Sequence, residues 1–263
     1  MGGVDEESGT EMISRYEIKF RVTHEQRERF LTAAKPGLIE DPHGKNACYR
    51  VSSVYYDSPK FDLYWEKIDG IALRRKLRLR FYDELKSPDQ MQDQVFFLEI
   101  KHRIKDSVCK ERVRLTPEGG LAILQNSDEL ANLREYVLEE DLKFHSTVSL
   151  MEWMQASLKC KAANTISYLR EAWMGKVDDR VRITFDHAAC TYSPDSYSKV
   201  GHEPGFALIP EEESIMEIKF NQSIPRWLRD IVAEQGLTPR RYSKYASGID
   251  RLWKPLESLQ TSV

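Results

Sequence analysis

Four cysteines, Cys48, Cys109, Cys160 and Cys190, lie far apart with no CxxC or Cys/His spacing, which excludes a thiolate zinc site and leaves reduced, structural thiols. The six histidines, His24, His43, His102, His145, His187 and His202, are scattered without ligand spacing, so surface or packing roles are expected of them. No apolar run approaches the roughly 18 residues of a spanning helix, and no signal peptide is legible. A cytoplasmic protein is therefore expected, held at a membrane only through a membrane-bound partner. P-loop, GxGxxG and Ser/His/Asp patterns are missing as well, which removes the common nucleotide-binding and hydrolase devices. An excess of positive charge is absent too: the net charge is −3, so no nucleic-acid partner is expected and basic residues matter by placement alone.

What is present is a set of strands sorted by charge. In LRRKLRLRFY, Leu73 to Tyr82, a strand places Arg74, Lys76, Arg78 and Arg80 on one face and Leu77, Leu79 and Phe81 on the other. Arg75 is the stray cation, expected at a frayed start. The same alternation occurs in RYEIKFRV from Arg15, VFFLEIKHR from Val95, CKERVRL from Cys109, RVRITFD from Arg180 and IMEIKF from Ile215. Glu-Ile-Lys recurs at Glu17, Glu99 and Glu217, each time with the isoleucine opposite the charges. Further strands are expected at Tyr49 to Tyr56 and Ile166 to Trp173. Helices are expected after Thr23, whose partner Gln26 completes a capping box, between Pro117 and about Cys160, after Pro225 and from about Ser243 to Trp253. Ser193 to Pro210 reads as a mobile loop, residues 1–12 as a disordered segment and 255–263 as a tail, bounding one domain over 13–254.

Any one of these strands is explained as well by a solvated outer face. Across six, arginine and lysine dominate where Thr, Ser and Gln would be usual, and arginine grips phosphate in a fork. The helices need apolar surface to cover. If they cover the aliphatic faces, the cations point inward, and the expected fold is α+β: an antiparallel β-barrel tunnel with helices packed outside. A chain of phosphates would neutralise such a lumen.

The motifs RYEIKF, SVYYDSPKFDLY, LRLRFY, FLEIKHR, RVRITFD, MEIKF and PRRYSKY, in this order from about Arg15 to Leu252, resemble the catalytic domain of the vacuolar transporter chaperone (VTC) family, polyphosphate polymerases within the triphosphate tunnel, or CYTH-like, superfamily. The resemblance implies a triphosphate tunnel fold that binds ATP and inorganic polyphosphate with a divalent metal, Mn²⁺ or Mg²⁺. It implies phosphate-handling catalytic roles for Lys19, Arg78, Arg80, Lys101 and Lys219. It further implies phosphate binding by Lys110, Arg112, Arg170, Arg182, Arg241, Ser243 and Lys244, with Lys67 a further basic position, and metal binding by Glu217. Arg15 stands where the superfamily's ExExK signature has its first glutamate, which weighs against hydrolysis. No accessory inositol-phosphate-sensing domain or membrane segment is recognised, so the resemblance implies nothing about regulation or translocation.

An acceptor phosphate is already ionised at neutral pH and needs no general base. A tunnel triphosphatase would have to activate water, with Glu17 or Glu99 the candidates. A non-catalytic polyphosphate- or RNA-binding module would only bind. Asp186 reads as a turn former at a strand end more than as a second metal ligand. Tyr55, Tyr56 and Tyr64 read as core, with adenine stacking by one of them the alternative, and Trp153 and Met154 read as core.

Overall fold

The strand periods read from the sequence are realised as one antiparallel sheet. The computed structural model describes residues 15–42, 48–85, 93–104, 107–138, 141 and 144–260. The segment 1–12 and the turn at Lys105 and Asp106 lie outside them. The strands are β1 (Arg15–Thr23), β2 (Leu38–Glu40), β3 (Cys48–Asp57), β4 (Leu73–Tyr82), β5 (Phe96–Ile104), β6 (Ser107–Leu115), β7 (Lys161–Gly175), β8 (Arg182–Tyr192), β9 (Phe206–Ala207) and β10 (Glu213–Asn221). The helices are α1 (His24–Ala34), α2 (Asp62–Ile68), α3 (Pro117–Gln125), α4 (Leu133–Tyr136), α5 (His145–Leu158), α6 (Arg226–Glu234) and α7 (Lys244–Gln260). The sheet order is β1-β10-β8-β7-β3-β4-β5-β6, with β2 added to β7 and β9 to β8.

Register decides which side chains share a face. Lys76 pairs with Lys101, and Arg78 with Glu99. Glu99 pairs in turn with Arg112, and Lys101 with Lys110. At the other edge Lys19 pairs with Glu217 and Glu17 with Lys219. All these residues occupy the concave side. The opposite parity carries the apolar set: Leu77, Leu79, Leu98, Ile100 and Val113 pack under α3, α4 and α5. Phe20, Ile183, Met216 and Ile218 pack under α1 and α6. Ile100 and Ile218 are both 0% exposed. The inward-cation geometry is therefore observed, and the fold is the expected tunnel fold.

Closure is incomplete. The edge strands β1 and β6 come alongside each other, but the described residues carry no ladder between them. A side-chain pair fastens the seam instead, Lys101 Nζ on β5 reaching Glu17 Oε2 on β1 at 3.0 Å.

The concave side is also not wet throughout. Helix α7 packs on it at one end, where Tyr55, Ile166, Tyr168, Tyr245, Ala246 and Ile249 form an apolar cluster. Gly248 permits this approach, since a Cβ there would meet Asn164 Nδ2, Ile166 Cδ1 at 2.7 Å and Thr191 Oγ1 at 2.9 Å. The helix runs on to Gln260, past the expected end at Trp253 and into the segment read as a tail. The stretch expected to be a mobile loop, Ser193 to Pro210, holds a 3₁₀ turn over Pro194–Lys199 and the strand β9, which pairs with β8. Arg75 is not frayed: its backbone N–H donates to Glu66 Oε2 at 2.7 Å and its Nε to Glu66 Oε1 at 3.0 Å, tying β4 to α2.

Candidate active site

Strand alternation delivers the charged residues to the lumen, and ion pairing arranges them there in two clusters. The first surrounds Glu217. Lys19 Nζ lies 2.9 Å from Glu217 Oε1 and 3.0 Å from Glu17 Oε1, bridging the two carboxylates. Lys219 Nζ approaches Glu217 Oε2 at 2.9 Å, Lys244 Nζ approaches Oε1 at 3.4 Å, and Arg170 stands 3.7 Å away. Arg170 also donates two hydrogen bonds to Asp186, at 2.7 and 2.8 Å, and Lys244 Nζ contacts the same carboxylate. The second cluster surrounds Glu99, 1% exposed. Arg78 donates to it at 2.7 Å, Lys110 lies at 2.5 Å and Arg80 at 3.7 Å.

These neighbours set protonation. Burial alone would raise Glu217, but Lys19, Lys219, Lys244 and Arg170 outweigh it and hold the carboxyl well below its usual range. Burial is likewise outweighed at Glu99 by Arg78, Arg80 and Lys110, and at Glu17 by Lys19 and Lys101. Among the cations, burial brings Lys219 down to about 8 despite Glu217 and Glu17.

Beyond these clusters the lumen opens into a cavity of about 370 Å³ lined by Lys19, Lys67, Lys76, Lys101, Arg240, Arg241 and Ser243, with Glu17 the one carboxylate among its lining residues. Ser243 Oγ accepts from Ala246 N at 3.2 Å, capping α7, and from Lys76 Nζ at 2.8 Å.

The structure thus brings together Lys19, Lys101, Arg170, Glu217, Lys219 and Lys244 in one cluster, Arg78, Arg80 and Lys110 in another, and Arg241 and Ser243 at the mouth. Arg112 and Arg182 belong to neither cluster. Arg112 lies over the Phe97 ring at 4.8 Å, and Arg182 binds Asp41 at 2.5 Å and Tyr49 Oη at 3.0 Å.

Asp186 corrects the sequence reading. It is no strand-end turn former but a fully buried residue inside β8, paired to Arg170 and Lys244. Tyr55 is in the core as expected, its ring stacked on Tyr245, and its hydroxyl also accepts from Arg78 at 2.9 Å. Alternation along β4 already puts Lys76 on the face of Arg78, but nothing in the sequence shows that Ser243 meets it.

Among the described residues no group of three or more His, Cys, Asp or Glu converges as a metal cage. Both Glu217 oxygens are engaged by lysines, so a hard ion there would have to displace an ammonium and draw most of its coordination from phosphate oxygens and water; an all-protein site does not fit.

The family profile named VTC domain matches residues 14–253. A search of curated proteins found no match. Among solved structures, a candidate adenylate cyclase from Bacillus halodurans aligns with a TM-score of 0.50 at 13% identity, covering 91% of this chain and 99% of its own. A Hippeastrum protein, described as a candidate adenylyl cyclase with a dominant triphosphatase activity, gives a TM-score of 0.49 at 16% identity over 92% and 99%. At such identity the Bacillus likeness speaks to fold alone.

Proposed function

The chain belongs to the VTC domain family, and on that premise we propose that it is a polyphosphate polymerase, passing the γ-phosphate of ATP to a growing inorganic polyphosphate chain inside the lumen. The observation that carries the reading is the convergence of lysines and arginines from β1, β4, β5, β6, β7 and β10 on one channel that opens into a basic cavity. Phosphoryl transfer asks mainly for positioning and neutralisation of phosphate charge, and such a channel supplies both.

In this reading Lys19, Arg78, Arg80, Lys101 and Lys219 hold and orient the transferring phosphoryl group. Lys110, Arg112, Arg170, Arg182, Arg241, Ser243 and Lys244 hold the phosphates on either side. Glu217 would hold Mn²⁺ or Mg²⁺ through a carboxylate oxygen, and the ion would supply positive charge to offset that of the phosphates. The terminal phosphate of the acceptor is ionised at neutral pH and attacks without a general base. Glu17 and Glu99 are poor bases, since lysines and arginines hold both well below the usual carboxylate range. That observation favours transfer to phosphate over hydrolysis.

Incubation of the purified protein with ATP and Mn²⁺, followed by electrophoresis, tests the proposal. Long polyphosphate is the expected product. Orthophosphate alone would make the protein a tunnel triphosphatase, and tight, salt-sensitive binding without turnover would make it a binding module.

A further inference from the structure

Lys76 differs from the other lysines that the strands and α7 carry into the lumen. Lys19, Lys101, Lys110, Lys219 and Lys244 each touch a carboxylate. Among the described residues Lys76 forms no ion pair; its Nζ donates to the Ser243 hydroxyl at 2.8 Å. Because that hydroxyl oxygen is itself fixed by the Ala246 N–H at the start of α7, the amine is held at a set place across the mouth.

The groups that face it are almost all cationic. Arg74 and Arg78 flank it on β4, and Lys101 and Arg103 lie on β5. Lys19 and Glu17 face it from β1, Lys67 from α2, and Arg240 and Arg241 from the segment before α7. Glu17 is already shared between Lys19 and Lys101. Burial, reinforced by Lys101, Lys19 and Arg78 and opposed by Glu17, drives the Lys76 ammonium well below the usual lysine range.

We propose that Lys76 is a further phosphate-binding residue, one that takes up a proton from solvent as a phosphate chain enters the mouth. This rests on the reading of the lumen as a polyphosphate site. A phosphate chain brings negative charge into the middle of the cluster, reversing the field that disfavours the ammonium, and the protonated amine then has three donors for phosphate oxygens. Affinity is thereby linked to pH: it is highest where the proton is available and falls as pH rises.

Calorimetric titration of the purified protein with tripolyphosphate, without divalent metal, in two buffers of different ionisation enthalpy at pH 7.5 reads the protons taken up on binding. The wild type should take up more protons per tripolyphosphate than Lys76→Arg, which keeps the charge fixed, and more than Lys76→Gln, which cannot titrate. Lys76→Gln should also bind roughly tenfold more weakly, the loss of one charge-assisted contact. Equal proton uptake by wild type and either folded variant overturns the proposal while leaving the polyphosphate reading standing. Failure of the wild type to bind tripolyphosphate overturns both.

Discussion

Deep in the lumen, Glu99, Asp186 and Glu217 each sit between cations, and every ammonium or guanidinium of the two clusters lies beside one of them or beside Glu17. At the mouth, Lys67, Lys76, Arg240 and Arg241 line a cavity in which Glu17 is the one carboxylate among the lining residues. The two regions share a strand pattern and differ in what balances the charge. In the interior each cation leans on a shared carboxylate although cations outnumber carboxylates eight to four, whereas the mouth has only Glu17 among its lining residues to offset its cations and is the more open to an incoming anion.

The largest expected effect is on the interior. Glu99→Gln leaves Arg80 buried and Arg78 half-buried without their counter-charge, and urea unfolding should show a loss of about 3–5 kcal/mol. A loss below about 1 kcal/mol would mean the interior is hydrated like the mouth, and the distinction would collapse. Acid sharpens the same point. Glu17, Glu99 and Glu217 are held below their unfolded values, so their contribution is complete above about pH 5 and disappears as pH falls through the folded values. The thermal midpoint should therefore fall on acidification from about pH 5, and less steeply in Glu99→Gln than in the wild type.

Next comes the packing of α7 on the concave side. Gly248→Ala forces a methyl group onto Asn164 and Ile166, and should cost about 1–3 kcal/mol in the same unfolding measurement. The smallest structural effect is expected at the mouth. Arg241→Ala should leave stability unchanged within about 0.5 kcal/mol while lowering the salt dependence of tripolyphosphate binding by roughly 0.7 of a log unit per log unit of salt. A destabilised Arg241→Ala with unchanged binding would reverse the assignment of the two regions.

Much of this was readable before any coordinates, because the side-chain period of a strand is two. The run from Leu73 to Tyr82 separates Arg78 and Arg80 from Leu77 and Leu79 with no help from tertiary structure. What was not readable depends on contacts between distant segments. Asp186 looked terminal because RVRITFD reads as a complete strand, but pairing with β10 on one side and β7 on the other carries β8 through to Tyr192. Arg75 looked stray because its partner, Glu66, lies on a separate element. The entry of α7 into the concave side depends on Gly248 meeting Asn164 and Thr191, three positions that no local pattern connects. The unclosed edge was equally hidden, since a row of cations on β6 says nothing about which backbone will pair with it.

The pairing of β4 with β3 and β5 sets a constraint on how this chain can vary. Inserting or deleting a single amino acid within β4 would exchange Arg78 and Arg80 for Leu77 or Leu79, lining the passage with oil and pressing guanidinium groups against α3 and α5. Changes in length can therefore accumulate in the connections between strands, while inside β4 they are tolerable only two residues at a time.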